Sequence, residues 1–146
     1  MDVQRLLREE NEGWGRLLDV LAAVPDDRLE QPTLTPEGWS SKDAMFHVGY
    51  WLDDCARVLA AIAGGTFDAA IENATDIRSV NDEGFLRSRD MDLGTVRAGL
   101  LAARERTRTA FAALETVGPQ AWEWFEESGP LHYAKHVEDL DAWLRG

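Results

Sequence analysis

Helical spacing, with no strand spacing to set against it, is what most constrains this chain. Apolar residues recur at intervals of three, four and seven in four separate stretches, the period of helices that each bury one face. No segment alternates apolar and polar residues for long enough to make a half-buried strand. The first stripe is Val3, Leu7, Trp14, Leu17, Leu21 and Val24, and Pro25 ends it. Glu10 stands where an apolar side chain belongs. The second helix opens at "WSSKD", where Ser40 and Asp43 have the spacing of a capping box. Its stripe is Ala44, Val48, Trp51, Cys55, Val58 and Ile62, closed by Gly64-Gly65. The third runs from about Leu93 to Val117, with Leu93, Val96, Leu100, Ala103, Thr107, Ala110 or Phe111, and Leu114 on one face. Gly118-Pro119 stops it, and Pro130 suits the first turn of the last helix.

The remaining segments read as connections. "PDDRLEQPTLTPEGWSSKD" is punctuated by prolines and a glycine, and "PQAWEWFEESGP" reads as a loop. Residues 66–92 read as a crossover containing a short helix around 74–88. The expectation is an all-α four-helix bundle with a long crossover between helices two and three, one domain over residues 1–146.

Charge narrows the partners. With 27 acidic and 15 basic residues the chain carries a net −12, which repels phosphate backbones and anionic lipid. Nucleic-acid and membrane partners are therefore not expected. The start, "MDVQRLLREENEGW", lacks the pattern of a secretory signal, and no window approaches the roughly 20 apolar residues of a membrane span. Cys55 is the one cysteine, so no internal disulfide forms. A cytoplasmic protein with a small-molecule partner is expected, and an exposed apolar helix face could support a homodimer.

The three histidines carry the chemistry. His132 and His136 lie four apart in "HYAKH", about 40° apart on a helical wheel, so both imidazoles can aim at one point. On that wheel Tyr133, Val137, Leu140 and Leu144 continue the apolar face, and Lys135, Glu138, Asp141 and Arg145 fall on the opposite side. His47 flanks the stripe of the second helix and also points inward. Three neutral imidazoles leave coordination positions open on a divalent ion, the pattern of a catalytic rather than a structural zinc, and they suit nickel or iron as well. The alternative is a set of partly buried, hydrogen-bonded histidines that hold no metal.

"GWSSKDAMFHVGYW" followed far downstream by "HYAKHVEDLDAWL" resembles the DinB-like superfamily of metalloenzymes. Its relatives include metal- and thiol-dependent S-transferases and the amino-terminal domain of mycothiol-dependent maleylpyruvate isomerase. The matching positions are Trp39-Ser40, His47, His132 and His136. The resemblance implies a four-helix bundle holding nickel or zinc on the three histidines. It implies further a low-molecular-weight thiol cofactor, such as mycothiol or bacillithiol, that attacks a small electrophile in detoxification. Hydrolytic members activate water instead. The chain ends ten residues after His136, without the further carboxy-terminal domain of the isomerases, so a reaction other than that isomerisation is expected.

Other residues gain a role from this frame. Asp139, one turn beyond His136, could orient an imidazole or be solvated, and Asp43, four before His47, could do the same. Glu10 could face the metal cavity as a base for a bound water, or snorkel to the edge. Resemblance and position make Arg78 and Asn81 candidates for substrate or thiol contact. Trp39, Trp51 and Trp143 belong to the core or wall a pocket beside the metal. Trp122, Trp124 and Phe125 plug the bundle end or form a lid. Cys55 reads as a buried structural thiol. A metal-dependent thiol S-transferase is the expected activity. Its rivals are a metal-dependent hydrolase, favoured by a Glu10 that points into the cavity, and a non-catalytic ligand-binding or self-resistance bundle, favoured by a closed histidine network.

Overall fold

A computed structural model describes residues 1–146, and every regular element in it is helical. In chain order these are α1 (Val3–Ala23), a 3₁₀ turn (Asp26–Arg28), α2 (Ser41–Ala63), α3 (Ala69–Asn73), α4 (Ile77–Ser88), α5 (Leu93–Ala112), α6 (Pro119–Ser128) and α7 (Pro130–Arg145). No helix is long and apolar enough to cross a membrane.

The helix starts follow their capping residues. Asp2, Ser40, Asp68, Asp76 and Asp92 each place a side-chain oxygen on a first-turn N–H. At α2 the capping box is complete: Ser40 Oγ accepts from Asp43 N, and Asp43 Oδ2 accepts from Ser40 N at 2.8 Å. Pro119 and Pro130 open α6 and α7.

Packing pairs α2 with α5 and α1 with α7, while α4 and α6 lie against α2. Gly49 marks the close approach of the first pair, where a Cβ would touch the Leu100 backbone at 3.4 Å, an ordinary van der Waals contact. Gly129 permits the corner between α6 and α7, where a Cβ would fall 2.8 Å from the Phe125 carbonyl oxygen. One apolar cluster joins α1, α2, α5 and α7 through Leu17, Val48, Leu52, Leu100, Tyr133 and Leu140. A second, around Leu6, Cys55, Leu59, Phe111 and Phe125, brings in α6. The burial of these side chains is the dominant favourable contribution to folding.

Several expectations are corrected. "PQAWEWFEESGP" is not a loop. Ala121, Phe125 and Ser128 recur at spacings of four and three and face the core, which makes residues 119–128 an amphipathic helix. The third long helix stops at Ala112, not Val117, because Thr116 and Val117 are poor helix formers and Gly118 must be extended ahead of Pro119. The crossover holds two helices, not one. In α1 the buried face is Leu6, Glu10, Gly13, Trp14, Leu17 and Val20, so Leu7 and Leu21 lie at its margin.

The crossover is tied down. Ser88 Oγ donates to Asp43 Oδ1 at 2.6 Å, and the Phe85 ring stacks on Trp39 with centroids 5.8 Å apart. The buried Lys42 ammonium donates to the Arg89 and Met91 carbonyls and to Glu30. These contacts fasten the carboxy-terminal end of α4 to the start of α2, and the Trp51–Asn81 hydrogen bond holds the earlier part of α4 near His47.

Candidate metal centre

His47 projects from the second turn of α2, and His132 and His136 from successive turns of α7. Their Nε2 atoms converge. His132 Nε2 lies 3.0 Å from His47 Nε2 and 3.0 Å from His136 Nε2, and the three ligand atoms all fall within 4.8 Å of one another. Bonds of about 2.1 Å to one ion place neighbouring nitrogens about 3 Å apart when they subtend a right angle. That is the spacing of both adjacent pairs.

Charge state agrees with this use. Burial pushes the imidazoles well below their ordinary value, His47 to about 4, His132 to about 2 and His136 to about 3. After burial, the neighbouring imidazoles weigh on His132 and His136, and the Lys135 ammonium lowers all three. A contact with Asn81 works the other way on His47. At neutral pH the site therefore presents three uncharged nitrogen donors, as metal ligation requires.

Hydrogen bonding does not close the cluster. His132 Nε2 can accept from both neighbours only if its own proton is on Nδ1, and Nδ1 is buried without a partner. An ion at the convergence point would take all three Nε2 lone pairs at once. The residues fit a divalent metal.

Two cavities adjoin the imidazoles. One, of about 330 Å³, touches His47 and His132 and is walled by Trp51 and Trp124. The other, of about 600 Å³, touches His47 and His136 and carries Arg78, Glu37, Asp82 and Asp139. Ile77, Asn81 and Lys135 line both. Asn81 is fixed by Trp51, whose indole N–H donates to its Oδ1 at 2.8 Å. Trp39 sets its ring edge-on to His47, with centroids 5.1 Å apart. Trp51, Asn81 and Arg78 thus line the cavities beside the imidazoles.

Other candidates go elsewhere. Glu10 neither faces the histidines nor snorkels: it is 1% exposed, and its carboxylate accepts from Arg104, Arg108 and Tyr133. The two arginines from α5 make burial of this charge tolerable. Asp43 spends both oxygens on Ser40 and Ser88, so it caps α2 and does not orient His47. Asp139 is exposed at the mouth of the larger cavity, with no hydrogen bond to His136. Trp143 packs away from the site, its indole donating to Thr33 Oγ1 and its ring covered by Arg28. Phe125 is core, Trp122 packs beside it, and Trp124 reaches both this core and the smaller cavity. Cys55 is buried with its thiol pushed up to about 12, chiefly by burial, and lies against the Trp124 carbonyl.

Lys135, on the solvent side of the helical wheel, lines both cavities. It is only about 60° from His132 on the wheel, which was the available signal. Ile77 had no signal, since only the fold brings the start of α4 across α2.

The family model described as the mycothiol maleylpyruvate isomerase N-terminal domain matches residues 11–143. Neither a curated protein nor a solved structure matches the chain.

Proposed function

Since the chain belongs to the mycothiol maleylpyruvate isomerase N-terminal domain family, within the DinB-like superfamily, we propose that it is a divalent-metal enzyme that transfers a low-molecular-weight thiol to a small electrophile. The observation that carries this reading is the convergence of three uncharged imidazole nitrogens beside open cavities. His47, His132 and His136 would hold the ion, and nickel or zinc suits such donors. When bound, the metal supplies Lewis acidity that lowers the pKa of a coordinated thiol such as mycothiol or bacillithiol.

The rest falls to this chain's own side chains. Trp51 holds Asn81 beside His47. Lys135 places a positive charge next to an incoming thiolate. Trp39 covers an edge of His47 and limits water there. In this reading α1, α2, α5 and α7 are the four helices of the DinB-like bundle, and residues 1–146 act as one domain in the cytoplasm. A hydrolase would need a free base beside a bound water. Glu10 is committed to two guanidinium groups and Asp139 makes no hydrogen bond to the imidazoles, so neither carboxylate expected in that role supports that reading.

Cobalt substitution tests the thiol directly. Addition of mycothiol or bacillithiol to the cobalt-loaded protein is expected to produce a sulfur-to-cobalt charge-transfer band. Bound cobalt whose spectrum neither thiol changes would sink the thiol-transfer reading while leaving the metal site intact.

A further inference from the structure

The two cavities beside the imidazoles differ in chemistry. Apart from His132, the smaller is set apart by Trp51 and Trp124, with Ser128 and Glu127 beside them. The larger is set apart by Arg78, Glu37, Asp82 and Asp139, charges of both signs. They meet at His47, Ile77, Asn81 and Lys135, and Ile77 is 59% exposed at that seam. Each cavity also has an imidazole to itself, His132 in the smaller and His136 in the larger.

We infer that these are two subsites: the tryptophan-walled cavity takes a planar apolar electrophile, and the charged cavity takes the hydrophilic thiol. This rests on the thiol-transfer reading above. Indole rings offer broad flat faces to a planar hydrocarbon group, and about 330 Å³ is near the lower end for a small-ligand pocket. The amino, carboxylate and hydroxyl groups of a cysteine-based thiol find both acceptors and a guanidinium in the larger space. Exchange of the two ligands is disfavoured, because a thiol carboxylate in the smaller cavity would lose the Arg78 guanidinium, and a planar hydrocarbon in the larger would displace water from Arg78, Glu37, Asp82 and Asp139.

The arrangement brings sulfur and carbon together at the seam. In the transfer the thiolate sulfur forms a bond to the electrophilic carbon, and the bond from that carbon to its leaving group breaks. The leaving group departs with the electron pair, and the thiol proton passes to water. No oxidant or reductant is required.

Indole N–H resonances of the metal-free, full-length protein test the division, since Trp51 and Trp124 line only the smaller cavity and Trp39 only the larger. The probes are 2-naphthol and S-methyl-L-cysteine, which has no free thiol to react. 2-Naphthol should shift Trp51 and Trp124 and spare Trp39. S-methyl-L-cysteine should shift Trp39 and spare Trp124, and the shifts should add when both are present. Trp124→Ala should weaken 2-naphthol about tenfold and S-methyl-L-cysteine less than about twofold. The exposed Arg78→Ala variant, which leaves the core untouched, should do the reverse. Competition between the probes, a shift of Trp39 by 2-naphthol, or no shift from either probe would overturn the inference. Separate binding in a protein that takes up no metal would keep the two subsites and remove the thiol-transfer reading.

Discussion

Helix α7 carries two buried polar clusters one residue apart in sequence, and they are built on opposite principles. Tyr133 belongs to one and His132 to the other. Around Tyr133 the carboxylate of Glu10 receives four hydrogen bonds: two from Arg104, one from Arg108 and one from the tyrosine hydroxyl. Charge and lone pairs are answered from within the chain. Around His132 three imidazoles face one another with no anion among them, and His132 Nδ1 lacks any partner. The first cluster is complete as it stands and holds α1, α5 and α7 together. The second is uncharged, crowded and open to two cavities, the condition of a donor set shaped for a cation. Burial of polar groups alone therefore does not mark a site. Whether the chain itself satisfies them does.

The largest break in this comparison comes at Glu10. Glu10→Ala leaves Arg104 partly buried without its carboxylate and the Tyr133 hydroxyl unpaired, and should cost about 3–5 kcal/mol in urea denaturation. A loss below about 1 kcal/mol would mean that the network is not structural. The imidazoles should respond to acid instead. Their folded pKa values lie below the ordinary 6.5, so the unfolded chain binds protons first as pH falls. Their contribution is intact above about pH 6.5 and is lost on the way down to about 4 for His47, about 3 for His136 and about 2 for His132, roughly 1 kcal/mol per histidine between pH 7 and 5.5. The triple substitution of His47, His132 and His136 by Gln should flatten that part of the metal-free stability curve. An unchanged slope would place the acid sensitivity elsewhere.

Asp43→Ala sharpens the contrast from the other side. It removes a capping box and the tie to Ser88, and should cost about 2 kcal/mol without changing metal uptake. Reduced uptake in a folded Asp43→Ala protein would restore Asp43 to the site. The smallest effect is expected at Cys55. Its buried, raised thiol should resist iodoacetamide in the native protein and react only on unfolding. Prompt native alkylation would contradict its placement in the core.

What the sequence disclosed was local. Ser40 with Asp43, Pro130, and the His132–His136 spacing each act within a single turn, so their roles follow from helix geometry. The buried face of α5 was legible for the same reason, from Val96 through Phe111. What stayed hidden depends on partners far along the chain. Glu10 signalled something unusual, but Arg104 and Arg108 lie 94 and 98 residues away and no periodicity points to them. Asp43 sits at an orienting distance from His47 in sequence, yet Ser88, 45 residues on, claims its free oxygen. The two cavities needed α4 to be laid across α2, and the weak periodicity of residues 66–92 carries no information about that placement.

The central claim is that three imidazoles hold one divalent ion. Elemental analysis of protein purified without a nickel column, and again after incubation with nickel, zinc, iron or manganese, tests it most directly, with His132→Ala as the comparison. The account predicts about one equivalent in the wild type and little in the variant. No uptake of any of the four metals by the wild type, or equal uptake by the variant, would contradict it.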